Sequence, residues 1–124
     1  SNISNATVVH ADNVDALEGK YDLIIGNPPH FSEYKLMQKN AYYSNHTKEN
    51  WERIAVDTNW DIHREFFTNI KKSMGIDCLI LLAENTREVP GITKVANECG
   101  FELINKHVAR STGMHVLAEY KYIL

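Results

Sequence analysis

Apolar runs of two kinds, continuous and helically spaced, divide the chain into elements. Thr7-Val8-Val9-His10-Ala11 is β-branched and closes on the turn formers Asp12-Asn13, which predicts a short strand. Ala16 to Lys20 leads into Tyr21-Asp22-Leu23-Ile24-Ile25-Gly26, a second predicted strand that stops at Asn27-Pro28-Pro29. Two successive prolines lack amide hydrogens and force extended backbone before them, so the chain must turn there. From Phe31 to Asn59 no period runs cleanly. That stretch predicts a long loop with helical pieces, and the aromatics Tyr34, Tyr42, Tyr43, Trp51 and Trp60 favour a lid over disorder. Asp61 can cap a helix whose apolar face is Ile62, Phe66, Phe67, Ile70 and Met74, ended by Gly75. The apolar run Ile76 to Ala83 reads as a strand buried on both faces and stopped by Glu84-Asn85-Thr86. Gly91 to Cys99 predicts a second helix with Gly100 past its end, and Phe101 to Val108 and Val116 to Leu124 predict an antiparallel hairpin joined by Ala109 to Met114. Parallel strands followed by an antiparallel edge pair define an α/β sheet, neither barrel nor bundle.

Composition narrows the class. The 124 residues are 44% apolar and carry 13 basic and 16 acidic side chains, which suits one globular domain over residues 7–124. Residues 1–6 are small and polar, Ser4-Asn5-Ala6 resembles the remnant of a removed tag, and the segment is expected to be disordered and without function. At this length about two thirds of the unfolded surface can be buried without disulfides or structural metal. A net charge of -3 excludes a dedicated DNA-coating protein and leaves only local contact with nucleic acid. No apolar run approaches the roughly 18 residues that span a bilayer, so no membrane partner and a cytoplasmic location are expected. Cys78 and Cys99 are expected to be reduced thiols.

Ligands of open α/β sheets bind beyond the carboxyl ends of the strands. Here those ends are Asp12-Asn13, Asn27-Pro28-Pro29-His30 and Glu84-Asn85, which should converge on one site. The Asn27 amide both donates and accepts hydrogen bonds, and the Pro28 carbonyl is an acceptor with no proline amide hydrogen nearby, a set that suits an NH2 group. His30 and Phe31 add planar faces for stacking. The plain alternatives are a rigid turn at 27–29 and an Asx turn at 12–13. Glu84 is a candidate acid or base. His10, His46, His63, His107 and His115 show no ligand spacing, so no metal site is expected and they read as surface or strand polar groups. Trp51 and Trp60 read as lid or core packing ahead of base-stacking platforms, and Lys35, Lys39, Lys48 and Arg53 as phosphate contacts or solvated surface.

Tyr21 to Phe31, with Asn27-Pro28-Pro29-His30-Phe31 at its end, resembles the Asn-Pro-Pro-aromatic motif of class I methyltransferases that use S-adenosylmethionine and methylate amino or amide nitrogen. Ala11 to Lys20 resembles the loop leading into that motif, and the later elements follow the order of the family's second half. The resemblance implies a partial Rossmann-like methyltransferase sheet. It gives Asn27 and the Pro28 carbonyl the role of holding the target NH2 against the methyl donor, beside Pro29, His30 and Phe31. It gives Asp12 the adenine amino group of the cofactor, and Asn13 a place beside that ring. His30 stands where the family has Tyr, Phe or Trp; a histidine stacks less well, and Phe31 is the substitute.

The family's glycine-rich cofactor turn is missing. Glycines 19, 26, 75, 91, 100 and 113 form no Gly-x-Gly pattern, so the chain is expected to be a truncated, second-half domain. In the family's sheet the first strand lies between the third and fourth. Without it, Tyr21 to Gly26 would expose an apolar edge unless Thr7 to Ala11 moves in or a second copy pairs with it as a homodimer. The functional expectation is an S-adenosylmethionine-dependent N-methyltransferase domain acting on adenine in nucleic acid or on a glutamine amide in protein. The rivals are a non-enzymatic remnant or binding and oligomerisation module without the cofactor half, and one fragment of a longer enzyme.

Overall fold

The structure is a computed structural model that describes residues 5–38, 48–110 and 113–123. Its elements are β1 (Tyr21–Gly26), α1 (Tyr34–Gln38), α2 (Lys48–Ala55), α3 (Asp61–Asn69), β2 (Met74–Asn85), α4 (Val89–Glu98), β3 (Phe101–Val108) and β4 (His115–Tyr122). The four strands form one mixed sheet in the order β1-β2-β4-β3. β1 runs parallel to β2 with Ile24 opposite Ile80, and β4 lies antiparallel to both β2 and β3. This is the expected α/β architecture with a C-terminal antiparallel hairpin.

One face of the sheet is fully packed. Ile80 and Leu82 of β2, Ala118 and Tyr120 of β4 and Phe101 of β3 meet Phe67 of α3, the following Ile70, and Ile92, Val95 and Ala96 of α4 in a single core. Helical spacing on α3 and α4 and period-two alternation on the strands are the sequence origin of this layer. Phe67 anchors it, with ring centroids 5.0 Å from Phe101 and 5.3 Å from Tyr120. α4 ends as its sequence predicts, on Gly100 at φ +91, a left-handed conformation that a side chain would strain.

Several expectations need correction. Thr7 to Ala11 is exposed and forms no strand, with Val8 97% accessible; the segment has no sheet partner for its backbone groups, so β-branching alone does not hold it extended in a ladder. It therefore does not move in beside β1, which is an edge strand of the sheet with no partner on its outer side among the described residues. β2 is not buried on both faces: Cys78, Ile80, Leu82 and Glu84 are buried, whereas the alternate Leu79, Leu81 and Ala83 are half-buried, since the described core packs against the other face. The strand starts at Met74, before the expected Ile76, and absorbs Met74 and Gly75 from the expected helix. A register shift beside β1, with Asp77 at φ 60, brings this longer strand into line.

The segment expected to be one lid is a small second core where it is described. Phe31, Met37, Ala55 and Val56 are buried together, and Phe31 bridges Val56. Tyr42, Tyr43, Lys39 and His46 lie outside the described residues, as do the side chains of Lys48 and Trp51. Trp60 is core.

Candidate functional site

A cleft of about 440 Å³ opens at the carboxyl end of β1. Asp12, Asn13, Asn27, Pro28 and Pro29 line it together with apolar Val14, Leu17, Ile24 and Phe66. The turn at Asp12 to Leu17 reaches it without a strand before it. Asp12 and Val14 carbonyls accept from the amides of Asp15 and Leu17, and Val14 drops into the core. Asn13, in the left-handed region at φ 53, donates from its side chain to the Ile62 carbonyl at 3.2 Å, while Asn69 and Lys72 donate to Asp15. The turn is thus fastened to α3 and the segment that follows it. The lining carries the carboxylates of Asp12 and Glu65 and the imidazole of His63, with no Lys or Arg, so the cleft leans towards a neutral or cationic ligand over a phosphate.

Behind the cleft lies a buried ionic chain. His63 of α3 donates through Nδ1 to Asp57 Oδ2 at 2.6 Å and through Nε2 to Glu84 Oε2 at 2.7 Å, and all three side chains are buried. Burial is the largest influence on His63 and pulls its pKa down; the hydrogen bonds it donates to Asp57 and Glu84, then their charges, outweigh it and raise the pKa to about 9. The imidazolium with two carboxylate partners is the state that satisfies both ring nitrogens. Asp57 has a second task. Its two oxygens accept from the backbone amides of Ile62 and His63 at 2.7 and 2.9 Å, so Asp57, and not the predicted Asp61, satisfies the first amides of α3. Trp60, at φ 57, closes the turn and sets its ring edge-on to His63 at 5.1 Å.

Glu84 divides its carboxylate between two histidines. Oε2 is taken by His63, while Oε1 lies 3.6 Å from Nδ1 of His30, beyond hydrogen-bond length. Both of these facing atoms are buried and without a hydrogen bond. His30 and Phe31 are held in place because both backbone amides donate to the Ala55 carbonyl.

The fold is similar to that of a methyltransferase. The ribosomal protein L11 methylase from Lactobacillus delbrueckii subsp. bulgaricus superposes on this chain with a TM-score of 0.58 and 13% identity. The match covers 92% of this chain and 42% of that one, so the chain spans less than half the length of the methylase it matches. No protein-family model and no curated protein match the sequence.

Within this methyltransferase-like sheet the structure brings Asp12, Asn13, Asn27, Pro28 and Pro29 onto one cleft. Of the third strand end, Glu84 joins the buried chain behind the cleft, and Asn85 accepts from the Arg87 amide to start the turn into α4. Phe31 is buried in the second core, which withdraws it as a stacking face and leaves His30 as the planar group next to Pro29. His63 is not the surface or strand group expected. It falls on the stripe His63, Phe67, Ile70, Met74, which could have marked it as buried; its carboxylate partners, six and 21 residues away, carried no sequence signal. Among the described residues no group of three or more His, Cys, Asp or Glu is arranged to hold a metal ion. Nor is any described helix long and apolar enough to cross a membrane.

Proposed function

We propose that this chain is the acceptor-holding part of an S-adenosylmethionine-dependent N-methyltransferase. The observation that carries the reading is the convergence of Asn27-Pro28-Pro29 and Asp12-Asn13 on one cleft at the carboxyl end of β1. The volume falls within the roughly 300 to 1,000 Å³ of small-ligand sites, and a lining with two carboxylates, in which the one basic group, His63, is already paired with Asp57 and Glu84, suits a sulfonium cation. When bound, the cofactor supplies a methyl group already activated on sulfur, so the protein's work is positioning and exclusion of water. Asp12 would accept from the adenine amino group, with the Asn13 backbone beside that ring. Asn27 and the Pro28 carbonyl would take the two hydrogens of the target NH2 and hold its lone pair towards the methyl carbon. The apolar wall of Val14, Leu17 and Phe66 would keep the site dry.

The acceptor is a planar NH2 group, of adenine in nucleic acid or of a glutamine amide in protein. The acidic cleft, the net charge of -3 and the ribosomal protein named as substrate of the structurally similar methylase put the protein amide first. The rival reading, a binding module without turnover, is favoured by the lack of a Gly-x-Gly turn. We propose in addition that the free β1 edge is paired by a second copy of the chain.

Calorimetric titration of the chain with S-adenosylmethionine and with its demethylated product tests the reading. One-site binding at micromolar level is expected, with methyl transfer to glutamine peptides that Asn27→Ala abolishes while binding persists. Absence of binding up to about 1 mM, only some 4 kcal/mol of affinity, would remove the enzyme reading and leave the binding module.

A further inference from the structure

We propose that His30 and Glu84 form one proton-holding site, in which His30 takes the proton an acceptor nitrogen loses on methylation and Glu84 shares it. The inference rests on the methyl-transfer reading for its chemistry and on the buried contact for its geometry. Glu84 Oε1 and His30 Nδ1 are both buried, both lack a hydrogen bond, and face each other at 3.6 Å. Leaving two such atoms unpaired is unfavourable, because each has lost its water without gaining a partner. A single proton between them satisfies both, whether Nδ1–H donates to Oε1 or a protonated carboxyl donates to Nδ1. Closing the gap needs well under 1 Å of movement.

Charge favours a proton at this contact. Asp57 and Glu84 as carboxylates around one imidazolium leave a net negative charge in a buried site. The titratable groups around Glu84 among the described residues are His30 after β1, His63 of α3 with Asp57 behind it, and Tyr120 of β4, whose phenol is pushed up to about 12, chiefly by burial, and whose hydroxyl pairs with Thr93. Among the described residues no Lys or Arg neutralises Glu84. His30 is the remaining proton carrier, and it directly follows Pro29 of the cleft lining.

The step balances without another reactant. The acceptor nitrogen's lone pair forms the bond to the methyl carbon as the carbon–sulfur bond breaks and its electron pair stays on sulfur. The nitrogen, now cationic, releases one proton to Nε2 of His30, and the Nδ1 proton passes to Oε1 of Glu84. After product departs the proton returns to solvent by the reverse path. Glu84 and, through it, His63 act as positioning residues, and His30 is the group that would touch the acceptor.

Two measurements on the full chain test this. In proton-detected nitrogen NMR of labelled protein, wild type should show an exchange-protected Nδ1 proton of His30 that Glu84→Gln alters or removes; a His30 ring unaffected by that isosteric change would overturn the shared site. In methyl-transfer kinetics, His30→Phe keeps a planar ring but no proton acceptor. It should lower kcat about 100-fold or more and flatten its pH dependence, with cofactor affinity unchanged. A His30→Phe chain as active as wild type would show that His30 only stacks, and the relay would fall. Were no methyl transfer found with any acceptor, the enzymatic reading would fail by itself. The NMR comparison would still decide whether His30 and Glu84 share a proton.

Discussion

At the scale of single residues, the chain commits a charged histidine to its interior, and the consequence is a pH-dependent stability. His63 holds its proton with a pKa of about 9 in the folded chain against an ordinary 6.5. Because the folded state binds the proton more tightly, this contribution is complete below about pH 6.5 and is lost as pH rises through 9. A shift of that size corresponds to stability on the order of 3 kcal/mol. Urea midpoints measured between pH 6 and 9.5 are expected to fall over that window. His63→Gln should be destabilised by about 3 to 5 kcal/mol at pH 6, because Asp57 and Glu84 are left buried without a cation, and should lose most of the slope. A flat wild-type profile would mean that His63 is neutral when folded. The exposed pair Arg64 to Glu98, at 2.7 Å, carries no comparable weight, since solvent screens it.

At the scale of elements, the placement of the ionic chain depends on how α4 packs over Trp60. A Cβ at Gly91 would come within 2.9 Å of Trp60 Nε1, and the indole is buried. Two effects compete in Gly91→Ala: helix propensity gains up to about 1 kcal/mol, and overpacking a fixed ring costs about 1 to 3 kcal/mol. The second should win, with a melting temperature lower by a few degrees. An unchanged or raised value would show that Trp60 can yield. Nothing in the pattern around Gly91 announces this contact, which illustrates what was legible in the sequence and what was not. β1, β2, the β3–β4 hairpin and both long helices follow from period and punctuation, because each carries its own apolar stripe. Thr7 to Ala11 has the same β-branched look, yet whether it forms a strand depends on a partner that no local pattern encodes. The Asn27-Pro28-Pro29 wall of the cleft was legible for the same reason as β1, since it must turn at a strand end, whereas Asp12-Asn13 reaches the cleft without a strand before it and Glu84-Asn85 does not line it. The ionic chain was not, since Asp57, His63 and Glu84 come from a loop, a helix and a strand and become neighbours only when the core closes.

At the scale of the whole molecule, the described residues pack one face of the sheet fully and leave much of the other exposed along β1. Leu23 and Ile25 of β1, 55% and 72% exposed, stand in register with Leu79 and Leu81 of β2. Ala83, on the same side, pairs with Leu117 of β4. This is a contiguous apolar surface beside a free strand edge, a combination that soluble monomers avoid because it templates pairing. A second copy can meet the edge strand to strand, which joins unpaired amides and carbonyls and covers Leu23 at the same time. Sedimentation velocity should then show a sedimentation coefficient that rises with concentration in wild type. Leu23→Lys, which places a charge on that surface without touching the core cluster, should shift the chain to monomer at least tenfold higher in concentration. If wild type remains monomeric throughout and Leu23→Lys changes nothing, self-pairing through β1 is excluded. The exposed apolar surface would then call for a cover other than a second copy, one that brings helices to that side of β2 as well as a strand to β1.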